Sequence, residues 1–316
     1  MKTYDELQYR IDADTPAAFW NVMKGNNNQS GKIEKLINTA TGAPIFPPED
    51  YYKYEAAVKE KSIFRNIATF LTAYRSTTRI YARHTDDLAM WVSEGGEIPI
   101  YDGTDDFTKY TVEGHKLAAF VKLDNDFIHD VDFDLADYLM YRLSRNFARA
   151  EDDGFINGTG ENMPTGILHE TEGAKVGVTS DSITFDNIIN LYFSLDEEYR
   201  DRAVWMMNDE TALTLRLLKD SDSNYLWNQA TDTILGKKVI ISNFMPSAES
   251  GKMPIVFGDF KYYWVVARTP VSVQPLFEKF ITQEQIGYLA FEFMDGMLID
   301  RNAIKALKIA SETKTE

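Results

Sequence analysis

The stretch 150–168 constrains the fold of this chain most, because a helical pattern ends there in acids and a glycine-rich turn follows. Gly158 and Gly160 are close together, and glycine takes positive φ at little steric cost. We expect both glycines to take positive φ, so that the chain reverses tightly before a Pro-Thr-Gly-Ile-Leu exit at 164–168. The pattern is typical of a helix end in a structural core, and it offers no evident chemistry on a small molecule.

A long amphipathic helix precedes this turn. Asp132 supplies an N-cap, and the spacing predicts a helix over 133–153 that is roughly 30 Å long. That length makes it the structural axis of the chain. Apolar residues recur every four positions, at Leu135, Leu139, Leu143 and Phe147. The opposite face carries Arg142, Arg145 and Arg149.

Three acids near the helix end, Glu151, Asp152 and Asp153, are the main candidates for chemistry. Grouped carboxylates can bind divalent cations or share a proton, but adjacent helix positions point in different directions and cannot converge on one ion. Negative charge is also unfavourable at a helix C-terminus. We therefore predict a structural role, with an Arg or Lys of another segment or subunit as partner. A hydrolase or metal-dependent enzyme that uses Glu151 and Asp152 is the alternative from another class.

Other catalytic and cofactor patterns are weak. The chain has no cysteine, which excludes disulfides, thiolate metal sites and cysteine nucleophiles. The four histidines are far apart and lack metal-ligand spacing. The Gly-Thr-Gly segment at 158–160 follows a helix and lacks the Lys-Ser/Thr pair of a phosphate loop. We predict no catalytic residue, no metal and no cofactor.

Charge and hydropathy limit the partners of the chain. The 316 residues carry a formal net charge of −16, which argues against sequence-specific DNA binding through a basic face but not against enclosing DNA. A hydrophobic fraction of 44% is that of a folded protein with one large core or two modest ones. No run approaches the roughly 18 apolar residues of a membrane-spanning helix, and the N-terminus lacks the apolar core of a signal peptide. We expect no membrane association.

The order of predicted elements indicates an α+β protein. Residues 1–43 have little periodicity and are expected to form an extended or weakly structured arm with one short helix at about 15–23. A helix is predicted at 49–61. Strand patterns then flank a long loop over about 76–108, which fits a hairpin that reaches out to a neighbouring subunit. After the glycine turn, helices and strands alternate, and a strand at 285–294 leads to an Asp-Gly turn.

The long loop holds the second group of candidate residues. Its tryptophan lies in a glycine-rich acidic context, where it could line a ligand pocket or anchor a protein interface, and tryptophan is enriched at interfaces. The length and acidity of the loop favour the interface. The predicted subunit-interface residues are Trp91, Glu94, Gly95, Gly96, Glu97 and Pro99.

Several segments, in the same order, resemble the major capsid proteins of tailed bacteriophages, which have the Hong Kong 97-type shell fold. The 41–49 segment, Thr-Gly-Ala-Pro-Ile-Phe-Pro-Pro-Glu, resembles the start of the ordered capsid body, and 91–99 resembles the returning limb of the family's extended loop. Segment 116–121 is similar to a peripheral-domain strand, and Phe-Gly-Asp-Phe at 257–260 is similar to an axial-domain signature. One departure is Lys238, where the family usually has proline.

The resemblance implies an α+β, Hong Kong 97-like major capsid protein fold with an N-terminal arm, an extended loop, a peripheral domain with a long spine helix, and an axial domain. The implied limits are 1–61 for the arm and first helix, 62–180 for the peripheral domain with its extended loop at about 76–108 and spine helix at about 133–153, 181–295 for the axial domain, and 296–316 for a strand returning to the peripheral domain and the tail. The structural residues at the spine-helix end and turn are Glu151, Asp152, Asn157, Gly158, Gly160, Pro164 and Gly166.

The function that the resemblance implies is assembly. The chain is expected to form the pentamers and hexamers of an icosahedral shell around double-stranded DNA, in the virion of a tailed phage or prophage assembled in the bacterial host cytoplasm. Portal, scaffolding and decoration proteins are the expected partners. An encapsulin-type bacterial nanocompartment is the alternative with the same fold. Some relatives cross-link through a lysine of the extended loop, and this chain has no lysine between Lys61 and Lys109, so we predict no covalent cross-linking by that route.

Overall fold

The computed structural model describes residues 11–38, 41–72, 79–83, 92, 107–219, 225, 227 and 232–310. Helices and strands are numbered separately in chain order. The helices are α1 (Thr15–Met23), α2 (Pro48–Lys61), α3 (Phe64–Ile67), α4 (Asn125–Ile128), α5 (Leu135–Asn157), α6 (Phe185–Ser194), α7 (Glu197–Arg200) and α8 (Asp209–Arg216), with 3₁₀ segments at Asn27–Leu36, Phe260–Tyr262 and Ile281–Gln283. The strands are β1 (Thr69–Thr72), β2 (Arg79–Arg83), β3 (Phe107–Thr111), β4 (His115–Asp124), β5 (Lys175–Ser180), β6 (Val204–Met207), β7 (Thr233–Ile234), β8 (Lys237–Ile241), β9 (Ile255–Gly258), β10 (Tyr263–Leu276), β11 (Gln285–Leu298) and β12 (Ile304–Ile309).

The first sheet has four strands in the order β1-β10-β11-β4. Strands β10 and β11 are each 14 residues long and pair antiparallel from Tyr263↔Leu298 to Leu276↔Gly287. Strand β4 pairs antiparallel with β11, and β1 pairs parallel with β10. Helices α1, α2 and α5 bury their apolar sides together with this sheet in one core.

The segment that precedes α2 belongs to this core. Phe19, Met23 and Leu36 are all buried in it, and the Tyr288 hydroxyl of β11 donates a hydrogen bond to the Met23 carbonyl oxygen over 3.1 Å. The helix predicted at 15–23 is confirmed, but the prediction of an extended or weakly structured arm is wrong for residues 27–36, which form a 3₁₀ segment with buried apolar side chains. The polar run at 26–31 masks the apolar positions on either side of it, and those positions bury against the body of the same chain.

The second sheet has six strands in the order β5-β12-β9-β6-β8-β7. Strand β5 pairs parallel with β12, and β6 pairs parallel with β8, whereas β9 pairs antiparallel with both β12 and β6. Helices α6 and α8 contribute Leu191 and Leu215 to a core around Trp205 and Phe257, whose rings stack with centroids 4.0 Å apart.

The strand pairings do not follow the domain limits predicted from the sequence. Strands β10 and β11, which lie largely within the predicted axial region 181–295, belong to the first sheet, whereas β12, which lies within 296–316, belongs to the second sheet. The chain therefore passes from the first sheet to the second, returns with β10 and β11, and ends in the second. Local patterning located these strands but not their partners, because tertiary packing decides strand pairing.

The Asp-Gly pair at 295–296, predicted as a turn, lies inside β11. Asp295 is buried, and its carboxylate accepts hydrogen bonds from the amides of Gly296 (2.8 Å) and Glu113 (2.7 Å). A Cβ at Gly296 would lie 2.7 Å from the Tyr263 hydroxyl oxygen. The glycine therefore permits close packing within a strand rather than a reversal of the chain.

The long helix α5 differs from its predicted limits of 133–153 at both ends. Asp134 rather than Asp132 is its N-cap, and the Asp134 side chain accepts hydrogen bonds from two first-turn amides at 2.8 and 3.1 Å. The helix continues past its acids to Asn157 because Phe155 and Ile156 are fully buried and extend its apolar side. Glu151 and Asp152 therefore lie within the helix and not at its terminus.

Candidate functional site

The last turns of α5 and the segment that follows them form the candidate site, which we call the helix-end junction (residues 151–168 with the side chains that contact them). The returning chain runs back along the helix end, where the Ile167 amide donates to the Phe155 carbonyl oxygen (2.8 Å) and the Leu168 amide donates to the Ile156 carbonyl oxygen (3.0 Å). The last carbonyl groups of a helix lack intrahelical donors, so these bonds complete the helix terminus.

Two glycines act in this turn for different reasons. Gly160 has a φ of +78°, as predicted, and glycine is favoured there. The prediction of positive φ is wrong for Gly158, whose φ is −59°. Gly158 is required by space, because a Cβ would lie 2.0 Å from the Pro164 carbonyl oxygen. Gly166 is also required by space, since a Cβ added there would lie 2.5 Å from the Gly158 nitrogen.

The junction is hydrogen-bonded to both sheets. The Asn157 side-chain amide donates to the carbonyl oxygen of Phe244, which follows β8, over 2.9 Å. The Thr165 amide donates to the Gly296 carbonyl oxygen of β11 (2.9 Å), and the Thr165 carbonyl oxygen accepts from the Tyr263 hydroxyl of β10 (2.8 Å). The turn therefore links the long helix to strands of the first sheet and to a loop of the second.

A buried cluster of aromatic side chains supports these bonds. The Phe64 ring lies with its centroid 5.5 Å from that of Phe155 and 5.3 Å from that of Tyr263. Met206 and Ile304 of the second sheet belong to the same core. The two sheets thus share a core at the helix-end junction, and this packing fixes the position of the helix end.

Glu151 forms a buried ion pair with Arg65 of α3. The guanidinium donates two hydrogen bonds to the carboxylate, from Nε (2.7 Å) and Nη2 (2.6 Å), and the two side chains are 5% and 0% exposed. A third bond runs from Nη1 of Arg65 to Glu55 of α2 over 2.7 Å. Bidentate pairs are the strong form of this interaction. The cation beside Glu151 therefore comes from another segment of the same chain.

Asp152 has a different set of partners, which are two backbone amides and a hydroxyl group rather than a cation. Its carboxylate accepts hydrogen bonds from the amides of Ile63 (2.9 Å) and Phe64 (3.1 Å) and from the Ser62 hydroxyl (2.8 Å). Burial raises the pKa of Asp152, and these hydrogen bonds oppose the shift. The aspartate thus fixes the start of α3, whose unpaired amides replace the expected cation.

Sequence reasoning missed Glu292 of β11, which lies beside this ion pair. Glu292 is 3% exposed, and among the described residues its Oε1 has no hydrogen-bond partner. Burial, and then the negative charge of Glu151, raises the pKa of Glu292 well above its usual range. The signal in the sequence was a single acid within the apolar run 289–294.

The environment of these carboxylates does not fit the enzyme alternative. Both oxygens of Glu151 are bonded to Arg65, and both oxygens of Asp152 are bonded to donors at 62–64, so neither acid presents a free oxygen to a substrate. Within the described ranges, no group of three or more His, Cys, Asp or Glu side chains is arranged to hold a metal ion. No helix in those ranges is long and apolar enough to cross a membrane.

The predicted loop interface falls outside the part of the chain that the structure describes. Strands β2 and β3, which bracket residues 84–106, pair antiparallel from Arg79↔Thr111 to Arg83↔Phe107. The Tyr110 hydroxyl donates to the Ile299 carbonyl oxygen over 2.7 Å and ties this strand pair to the body. The predicted residues outside the described ranges are Trp91, Glu94, Gly95, Gly96, Glu97 and Pro99.

Comparison with protein families gives one family over most of the chain. The model of the phage capsid family matches residues 42–309. The probable major capsid protein gp17 of Mycobacterium phage L5 is 22% identical over 271 residues, which are 84% of this chain and 79% of that protein.

Solved capsids share the fold. The capsid of an empty GTA particle matches with a TM-score of 0.69 and 28% identity over 79% of this chain and 90% of that chain. The capsid of a native GTA particle matches with a TM-score of 0.65 and 27% identity over 79% of this chain and 91% of that chain. A structure from Microbacterium phage Oxtober96 has a TM-score of 0.58 at 17% identity, covers 78% of this chain and 91% of its own, and shares the fold alone.

Proposed function

Because this chain belongs to the phage capsid family and is a major capsid protein, we propose that it assembles through pentamers and hexamers into an icosahedral shell around double-stranded DNA. The observation that carries this proposal is the family match over residues 42–309, together with a fold shared with the GTA capsid at a TM-score of 0.69. As a capsid protein, the chain forms part of the virion.

The two sheets supply the division of labour in this proposal. The first sheet, with α1, α2 and α5, corresponds to a peripheral domain, and α5 corresponds to the spine helix. The second sheet corresponds to an axial domain that would meet its copies around fivefold and sixfold axes. The helix-end junction would hold the two at a fixed angle, since its hydrogen bonds and its core contact both.

Exposed apolar side chains at one end of the first sheet support contact with further copies. Val131 is 98% exposed, Ile281 is 70% exposed and Phe127 is 49% exposed. They lie on α4, on the segment after it and on the connection between β10 and β11. A hydrogen bond from the Asn125 amide to the Glu284 carbonyl oxygen (2.8 Å) joins α4 to that connection. Contiguous exposed apolar surface marks interaction sites, and we propose that these three residues contribute to one.

The loop residues from Trp91 to Pro99 are proposed as a second contact with neighbouring subunits. Portal, scaffolding and decoration proteins are proposed as further partners, and the host cytoplasm is proposed as the place of assembly. We propose that the chain has no catalytic activity, because the carboxylates that the enzyme alternative needs are bonded within the core.

Electron microscopy of the purified protein in negative stain tests the proposal. We expect closed icosahedral shells or rings of five and six subunits. Monomers alone, at every concentration and salt, would contradict it. The contents of purified particles separate the two shell functions: double-stranded DNA indicates a phage capsid, whereas a cargo enzyme indicates an encapsulin. The similar proteins named above are phage and GTA capsids, which favours the first.

Denaturing gel electrophoresis of the same particles tests the absence of covalent cross-links. Since no lysine lies between Lys61 and Lys109, we expect one band near the 36.1 kDa monomer mass. A ladder of larger covalent species would show that the shell is locked by another route.

A further inference from the structure

We propose that Arg142, Arg145 and Arg149 of α5 form a contact site for the phosphate backbone of the enclosed double-stranded DNA. The inference rests on the proposed shell function and adds the residues that would face the nucleic acid. All three arginines are exposed, and their spacing of three and then four residues places them on one face of the helix. We call this set the arginine row.

The arginine row carries charge that the chain itself does not neutralise. Among the described residues, no carboxylate lies within 4 Å of these guanidinium groups, and Arg142 donates to the neutral Tyr138 hydroxyl (3.1 Å). Asp153, one turn after Arg149, accepts from the Asn157 amide instead. Like charges three and four residues apart on a helix repel each other and destabilise it. A chain with a net charge of −16 nevertheless keeps three of them together.

The dimensions of the row suit a duplex. Seven residues of helix separate the first and last arginine by about 10 Å, and double-stranded DNA carries roughly one phosphate charge per 1.7 Å of its axis. The row therefore lies along about six phosphate charges. Tyr141 is 59% exposed beside it, with the Lys61 ammonium 4.7 Å from the centre of its ring, so that a further cation lies nearby.

The composition of this surface favours nucleic acid over an acidic protein segment. The anchors of a protein interface lie in well-packed, desolvated pockets, whereas backbone contacts to DNA come from side chains such as Arg, Lys, Asn and Tyr. The exposed positions of 141–150 hold no large aliphatic side chain. They are Tyr141, Arg142, Arg145, Asn146, Arg149 and Ala150. Such contacts position DNA without reading its sequence.

The test measures binding of the unassembled full-length protein to a fluorescent 30-base-pair duplex at several salt concentrations. Each phosphate contact contributes about 0.9 to the slope of log K against log salt. The triple variant Arg142→Gln/Arg145→Gln/Arg149→Gln should therefore lose about 2.7 from the magnitude of that slope. The charge-preserving triple Arg→Lys variant should keep it.

The matched control is Lys59→Gln/Lys238→Gln/Lys252→Gln, which removes the same charge from three exposed lysines elsewhere. We expect its slope to equal that of the unmodified protein. Equal losses in both triple variants would show a general charge effect and overturn the site. An unchanged slope in the arginine variant would show a merely solvated helix face and overturn it as well.

Microscopy of the same samples separates this inference from the shell function. Shells of unmodified protein with no slope difference between the variants would leave the proposed function standing and remove the DNA contact. Loss of shells in the arginine variant, with duplex binding intact, would assign the row to an acidic segment of another subunit and overturn the DNA site. Circular dichroism verifies that each variant keeps its helix content.

Discussion

The two sides of α5 differ in whether their charged side chains have partners of opposite charge. On the inner side, Glu151 is fully buried and its charge is matched by Arg65 through two hydrogen bonds, and the pKa of the neighbouring Glu292 is raised by burial and then by Glu151. On the outer side, Arg142, Arg145 and Arg149 are exposed and have no carboxylate within ion-pair distance among the described residues. The difference indicates that the inner charges hold the fold together and the outer charges are free for a partner.

Removal of Arg65 should have the largest effect. Arg65→Met leaves Glu151 and Glu55 beside Glu292 without their cation, and breaking a buried pair costs about 3–5 kcal/mol. We expect a loss of that size in the free energy of unfolding, measured with urea. Arg145→Met makes the same chemical change on the outer side and should stay within about 0.5 kcal/mol. Similar losses in the two variants would break the comparison.

Gly158→Ala should have the next largest effect. The new Cβ would lie 2.0 Å from the Pro164 carbonyl oxygen and 2.3 Å from that of Gly154, both backbone atoms that cannot move alone. We expect a loss of about 3 kcal/mol in the free energy of unfolding. Gly31→Ala is the control, because a Cβ added at Gly31 would have no other atom within 4 Å. An unchanged free energy of unfolding in Gly158→Ala would show that the turn can accommodate a Cβ at this position and would contradict the prediction.

Glu292→Gln should stabilise the protein, and the gain in the free energy of unfolding should increase as pH rises. The folded-state pKa of Glu292 is raised by burial and by Glu151, so its contribution to stability is complete below the unfolded pKa of about 4.3 and is lost as pH rises through the folded pKa. Glutamine keeps the shape and the donor without that loss. We expect a gain of roughly 1 kcal/mol at pH 8 and little gain at pH 4, from thermal unfolding at both pH values.

The groups that face Glu292 do not reverse this sign. Glu151 and Glu55 raise its pKa and Arg65 lowers it, with the net shift upward. The exposed acid Glu278 is the control, and Glu278→Gln should show no pH-dependent gain. A gain that falls with rising pH would mean that Glu292 is ionised in the folded protein.

Arg145→Gln should have the smallest effect, and its sign is opposite to that of Arg65→Met. It removes like-charge repulsion with Arg142 and Arg149 and should stabilise α5 by about 0.2–0.5 kcal/mol at low salt. The gain should shrink near 1 M salt, where the Debye length falls to about 3 Å. A destabilised variant would reveal a neutralising partner within the subunit and would contradict the contrast between the two sides of the helix.

The sequence predicted local features of the fold well. The short helix at Thr15–Met23, the long helix and the glycine turn follow from spacing and from residue chemistry. The family and the capsid function followed from a resemblance spread over the chain. These features are local or cumulative, so they remain visible without knowledge of the partners.

What the sequence did not reveal depends on contacts between distant segments. Arg65 and Glu151 are 86 residues apart, and no local pattern pairs them. Glu292 is one acid in an apolar run, and such a pattern does not show which side chains surround it. The sheets to which β10 and β12 belong could not be predicted for the same reason, since pairing is a property of the whole fold.

The chain crosses between the two sheets three times, and all three crossings pass the helix-end junction. They are the turn after α5, the segment 259–262 and the segment 299–303. Two hydrogen bonds, both 2.9 Å long, join the last two segments. The Asp259 amide donates to the Ala303 carbonyl oxygen, and the Ile299 amide donates to the Tyr262 carbonyl oxygen. Rotation of one sheet relative to the other would strain all three connections at once. We therefore expect each subunit to behave as a rigid body, so that the curvature of a shell is set by the angles between neighbouring subunits.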